Sequence, residues 1–161
     1  MKNTKRVLTA VFAVVMIAVM AMTLVSCGGK ETYTYKSSSV KVQLDGKDVT
    51  GLYSEAAEPM AKNTEAEYKE TTATVSGSEV VLTAKSGEKT TIKVTKKDGK
   101  LVPTGGSMDI AKSLSQINSA TGGTIDMYFV QEGSTVTMVI TVNVTTTGQT
   151  VSWVEEVVFS K

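Results

Sequence analysis

The segment 135–146 limits the architecture of this chain more than any other. Val136, Met138, Ile140, Val142 and Val144 take alternate positions, and Thr135, Thr137, Thr141, Asn143 and Thr145 take those between, with Val139 the one apolar residue out of phase. Side chains of an extended strand point to opposite faces with period two, so the pattern describes a strand with one buried and one solvated face. At ~3.4 Å per residue such a strand is about 40 Å long. A strand of that length coils or bends, as strands do in a barrel or a sandwich.

Its neighbours follow the same rule. Ile125, Met127 and Phe129 share a face in 124–131, ahead of Glu132-Gly133-Ser134. Val151, Trp153, Val157 and Phe159 share a face in 150–160, after Thr147-Gly148-Gln149. Short Gly-containing turns between alternating runs predict an antiparallel meander of three strands, with Trp153 pointing into the core. Asp45-Gly46, Ser76-Gly77, Ser86-Gly87 and Asp98-Gly99 are further turn signals, and they bound candidate strands at 33–44, 67–75, 79–85, 88–96 and 100–103. In the first of these the apolar phase changes from odd (Tyr33, Tyr35) to even (Val40, Val42, Leu44), which predicts a bulge near Ser37–Ser39. Two stretches look helical. Ser107 is a plausible N-cap for an amphipathic helix over about 107–119, where Ile110, Leu114 and Ile117 fall at i, i+4, i+7 before Gly122-Gly123. Residues 54–66 are helix-prone but contain Pro59, and read as a short helix or an ordered loop. The expectation is a mainly β, single-domain antiparallel barrel or sandwich of about eight strands with one short helix. The hairpin order resembles the lipocalin-like up-and-down barrels in topology only, since no Gly-x-Trp motif lies near the first strand and the single Trp is in the last.

The first thirty residues have a different composition. Lys2, Lys5 and Arg6 are basic, no acid precedes Glu31, and Val7–Val25 is apolar apart from Thr9 and Thr23. A basic start followed by an apolar run is an export signal, although 19 such residues are also long enough to cross a bilayer as an uncleaved anchor. The run ends in Leu24-Val25-Ser26-Cys27-Gly28-Gly29. This resembles the lipobox of bacterial lipoproteins, a match confined to residues 1–30. The resemblance implies that prolipoprotein diacylglyceryl transferase lipidates the Cys27 thiol. It further implies that signal peptidase II cuts between Ser26 and Cys27, so that fatty-acyl chains of the palmitate type hold the mature protein on a membrane. Stable anchoring takes two lipid signals, and a diacylglyceryl group supplies two chains. Cys27 is the only Cys in the chain, so there is one candidate thiol and no internal disulfide. The domain organisation expected is therefore 1–26 signal peptide, 27–31 lipidated flexible tether and 32–161 β-rich globular domain. The protein would face outside the cytoplasm, on the cell membrane or, if the cell has one, the outer membrane. Processing leaves 135 of the 161 residues, with 14 basic and 16 acidic side chains. Those residues include 21 Thr and 17 Val, β-branched types that suit a pleated surface.

Function is less constrained. With no His there is no imidazole base or ligand, and with one Cys no Cys-based zinc site. A near-neutral charge argues against nucleic acid as a partner. No arrangement of carboxylate, Lys, Ser, Thr or Tyr reads as catalytic, so no enzyme, cofactor or metal is expected. Glu155 and Glu156 are adjacent in a strand and point to opposite faces. Glu155 shares its face with Trp153 and Val157. It is either a carboxylate inside a ligand cavity or one that sits at a barrel mouth or pairs with a Lys. The candidate lining of such a cavity is Phe129, Met138, Ile140, Trp153 and Glu155. Tyr33 and Tyr35 either form an exposed aromatic surface or cap one end of the barrel. Two functions follow. One is a lipid-anchored, non-enzymatic envelope module that binds a small apolar ligand or a protein partner. The other is a structural or assembly-factor lipoprotein with a filled core and a working outer surface. Whether the interior is empty or full separates them.

Overall fold

The computed structural model describes residues 30–104 and 123–161. The leader, Ser26, Cys27 and the helix expected at 107–119 lie outside the described residues. The elements in chain order are β1 (Glu31–Leu44), β2 (Lys47–Asp48), a 3-10 turn (Thr50–Tyr53), α1 (Ser54–Tyr68), β3 (Thr72–Ser76), β4 (Glu79–Thr83), β5 (Lys89–Lys97), β6 (Lys100–Pro103), β7 (Thr124–Glu132), β8 (Thr135–Thr146) and β9 (Gln149–Ser160). All strand pairs are antiparallel, each strand from β3 to β9 pairs with the next, and β1 joins β3 to β9. The pairing therefore closes on itself as a barrel-like ring, with β2 a short appendage on β1.

The expected meander is present. β7 pairs with β8 from Thr124↔Asn143 to Glu132↔Thr135, and β8 with β9 from Thr135↔Ser160 to Thr146↔Gln149. Val136, Met138, Ile140 and Val142 are buried, and Val144 is half-buried against the core. The out-of-phase Val139 is buried too, but on the outer face, between its register partners Tyr128 and Glu156. The register of β1 on β9 shifts between Tyr35 and Ser37, one or two residues ahead of the expected bulge. That extra residue is what keeps both Tyr33 and Val40 inside despite their opposite parity. The turns Asp45-Gly46, Asp98-Gly99 and Thr147-Gly148 have two successive positive φ angles, the form whose twist matches a two-residue hairpin.

One assignment needs correction. Residues 67–71 are not strand: α1 runs on through Tyr68, and β3 begins at Thr72. The helix is a full 15 residues despite Pro59. Its buried stripe of Ala57, Thr64 and Tyr68, with half-buried Met60 and Ala61 between, recurs every three or four residues and lies mainly against β1, with some contact to β9. Such packing outweighs the one backbone hydrogen bond that proline removes. The approach to the helix is fixed by Thr50, whose hydroxyl accepts from the Val42 N–H at 2.9 Å and donates to Asp48 Oδ1 at 2.6 Å.

The ring has two unequal halves. β1, β7, β8 and β9 are 9–14 residues long, whereas β3, β4 and β6 have only 4 or 5 residues and β5 has 9. The seams between the halves are short: Glu31–Thr34 with Thr72–Val75 on one side, and Lys100 and Leu101 with Val130 and Phe129 on the other. Both seams lie at the end where β1 starts. Towards the other end the C-terminal part of α1 meets β4 and β5, where Tyr68 and Glu67 share a small crevice with Leu82 and Thr90.

Candidate functional site

β9 alternates strictly, so Trp153, Glu155, Val157 and Phe159 all point inward. Phe129 and Met138 are fully buried, Ile140 and Glu155 are 1 % exposed, and Trp153 is 6 % exposed. These five expected lining residues therefore do converge on one interior, and they present almost no surface to water. Trp153 is held edge-on by Tyr53, with ring centroids 6.3 Å apart.

Glu155 is the anomaly in that interior. Its neighbours across the sheet are Val40 and Ile140, both apolar. Neither carboxylate oxygen has a hydrogen-bond partner, and among the described residues no lysine pairs with it. Its sequence neighbour Glu156 points outward and is bound by Lys41 at 2.9 Å. Above Glu155 lies the buried stripe of α1. Thr64 faces the carboxylate and favours its charged form, but the Thr64 hydroxyl gives its proton to the Met60 carbonyl at 3.0 Å. Burial is the larger influence and pushes the Glu155 carboxyl up from its ordinary range. Glu67, half-buried one residue before Tyr68, is pushed up to about 7, first by burial and then by the charge of Glu155. Tyr68 is raised further above its normal value by burial and by both carboxylates, and its hydroxyl has no partner. An unpaired carboxylate removed from water is better neutral than charged, so its burial against the helix favours the protonated form of Glu155. Thr64, Glu67 and Tyr68 could not be joined to Glu155 from sequence while 67–75 reads as strand. The signal that would have found them is the apolar stripe Ala57, Met60/Ala61, Thr64, Tyr68.

The other end of the barrel is polar and fully paired. Tyr33 is buried, and its hydroxyl donates to Glu31 Oε2 at 2.6 Å. Gln131 Nε2 donates to the same carboxylate oxygen at 3.0 Å and to the Tyr33 hydroxyl at 2.8 Å. Lys161 Nζ closes the group on Glu31 Oε1 at 2.8 Å. The lysine, then the tyrosine, hold the Glu31 carboxyl below its ordinary value, and Glu31 holds the Lys161 ammonium above its own. Tyr33 thus caps this end, and Tyr35 packs edge-on against Phe159. Beside the group lies a solvent-open crevice of about 300 Å³, lined by Glu31, Gln131, Lys96, Gly99 and Leu101 among others. None of the five interior residues borders this crevice or the smaller one beside Tyr68.

Among the described residues there is no group of three or more His, Cys, Asp or Glu side chains able to hold a metal, and no helix long and apolar enough to cross a membrane. Comparison of the chain with family models, with curated proteins and with solved structures finds no match.

Proposed function

We propose that this is a lipid-anchored, non-enzymatic envelope protein whose barrel is a packed scaffold and whose binding is done by its ends and outer face. The lipobox-like Leu24-Val25-Ser26-Cys27 supports the anchor. The observation that carries the packed-scaffold reading is the near-complete burial of Phe129, Met138, Ile140, Trp153 and Glu155. A ligand site lined by these residues would leave part of them facing open space, as pockets for drug-sized ligands of ~300–1,000 Å³ do. Titration with a fluorescent fatty acid, read through Trp153, tests this. The expected result is no saturable change in Trp153 emission. Stoichiometric quenching would replace the scaffold with an apolar-ligand carrier. Mass spectrometry of the membrane fraction tests the anchor: a chain beginning at diacylglyceryl-Cys27 is expected, and an unmodified Cys27 within an intact leader would refute it.

A further inference from the structure

We propose that the barrel end holding the start of β1 and the β5–β6 turn docks on an anionic phospholipid surface, the one in which the anchor sits. The inference rests on the anchoring of Cys27. Glu31, the first residue of β1, is four residues beyond that position. Four residues reach at most about 14 Å fully extended. That is close to the Debye length of about 10 Å at 0.1 M salt, so charges at this end feel the field of the headgroups whatever path the tether takes.

The charges there have the matching sign. Lys30, Lys96, Lys97, Lys100 and Lys161 gather around Glu31, Asp98 and Glu132, and Glu31 is already bound by Lys161. Lys97 and Lys100 are direct partners across the Asp98-Gly99 turn. Like charges in that relation oppose hairpin formation, and nothing in the packing of the barrel calls for them. The three ion pairs among the described residues use neither; Lys100 lies instead over the Tyr128 ring, 3.9 Å from its centroid. Lys96 continues the inward row of Ile92 and Val94 out to the rim, and there lines the solvent-open crevice. The far end is opposite in sign: residues 45–70 and the 84–89 turn together carry eight acids against five lysines. The molecule is therefore polarised along the barrel, and its positive end is the end from which the tether leaves.

The test uses the full chain, purified with its lipid and reconstituted in vesicles of phosphatidylcholine alone or of phosphatidylcholine with equimolar phosphatidylglycerol. Because the lipid holds the chain in both, the readout is protection of the backbone amides of residues 96–100 from hydrogen exchange. Protection is expected only with phosphatidylglycerol and is expected to fade as salt rises. Lys97→Glu with Lys100→Glu should lower it by at least ~30-fold, the equivalent of about 1 kcal/mol for each of two lysines near an anionic surface. Lys62→Glu with Lys69→Glu, on the far end, should leave it unchanged, and circular dichroism should show the same strand content in every variant. Equal protection on both vesicles, or indifference to the Lys97 and Lys100 reversal, would overturn the docking while leaving the anchor intact. A purified chain without lipid on Cys27 would overturn the anchor, and the docking with it.

Discussion

The two halves of the ring are held together in different ways. In the long half, β1, β9, β8 and β7 share runs of ten, twelve and nine paired positions, so β8 and β9 are fixed by both neighbours along most of their length. In the short half β3 to β6 pair over four or five positions, and the β6–β7 seam has two. The helix adds to this inequality, because the buried stripe of α1 lies mainly against β1 and also touches β9, both in the long half. The comparison shows that closure of a small barrel need not be uniform. One side serves as a rigid half, broadly paired and backed by a helix whose buried stripe includes polar groups, and the other is a narrowly paired flap.

The largest effect should follow from deleting core volume in the rigid half. Trp153 is packed by Tyr53 and faces Val42 and Val142 across the sheet. Trp153→Ala should cost about 3–5 kcal/mol, a large part of the total stability of a domain this size. Urea unfolding followed by circular dichroism should show one transition moved far to lower denaturant. Leu101→Ala, at the two-position seam, should cost about 2–4 kcal/mol but act locally. Hydrogen exchange is then expected to quicken in β3–β6 while β8 and β9 stay protected. Equal loss of protection in both halves would show that the flap and the sheet unfold as one unit.

The difference also explains what could be read in advance. The long half consists of strands with one face inside and one outside, so period-two alternation gave their limits to within two residues, the bulge in β1, and the inward direction of Trp153 and Glu155. The helix was harder. Thr71-Thr72 and the Thr-Val run after them read as strand backwards into Tyr68, and Pro59 argued for a break, because local propensity carries no knowledge of the β1 surface against which the helix packs. Missing that extension hid the cluster of Thr64, Glu67 and Tyr68 over Glu155. The closed end was legible in part: Tyr33 was recognisable as a possible cap, but its pairing with Glu31, Gln131 and Lys161 joins residues up to 130 positions apart.

An intermediate effect, of opposite sign, is expected where the helix meets the sheet. Glu155 and Glu67 both have carboxyls raised by burial. The folded state therefore binds protons that the unfolded state has released. Stability from these groups is fully present below the ordinary carboxyl value of 4.5, is lost as pH rises through the Glu67 value of about 7, and does not return above it. Glu155→Met replaces an unpartnered acid with an apolar side chain of similar length. It should stabilise the protein by about 1–3 kcal/mol at pH 8 and flatten the slope between pH 5 and pH 7. Urea midpoints across that range measure both quantities. A Glu155→Met protein that is less stable than the parent at pH 8 would mean that the carboxylate has found a partner in solution.

The smallest effect belongs to the turn that joins the two longest-paired strands. Thr147 has φ +51° and Asp98 has φ +50°, both followed by a glycine with positive φ. Asp tolerates this left-handed region, whereas a β-branched residue crowds its own backbone there. The Thr147 turn thus carries strain in the rigid half, and there is none of that kind at Asp98 in the flap. A strained residue persists only where its surroundings over-determine the conformation, and twelve paired positions on the β8–β9 ladder do so. Thr147→Asn should relieve it and stabilise the protein by about 1 kcal/mol or less, while Asp98→Asn should change nothing measurable. Parallel thermal melts of the two variants decide the matter. If Thr147→Asn lowers the midpoint, the turn contributes through its threonine side chain, and the register of β8 on β9 depends on more than the ladder.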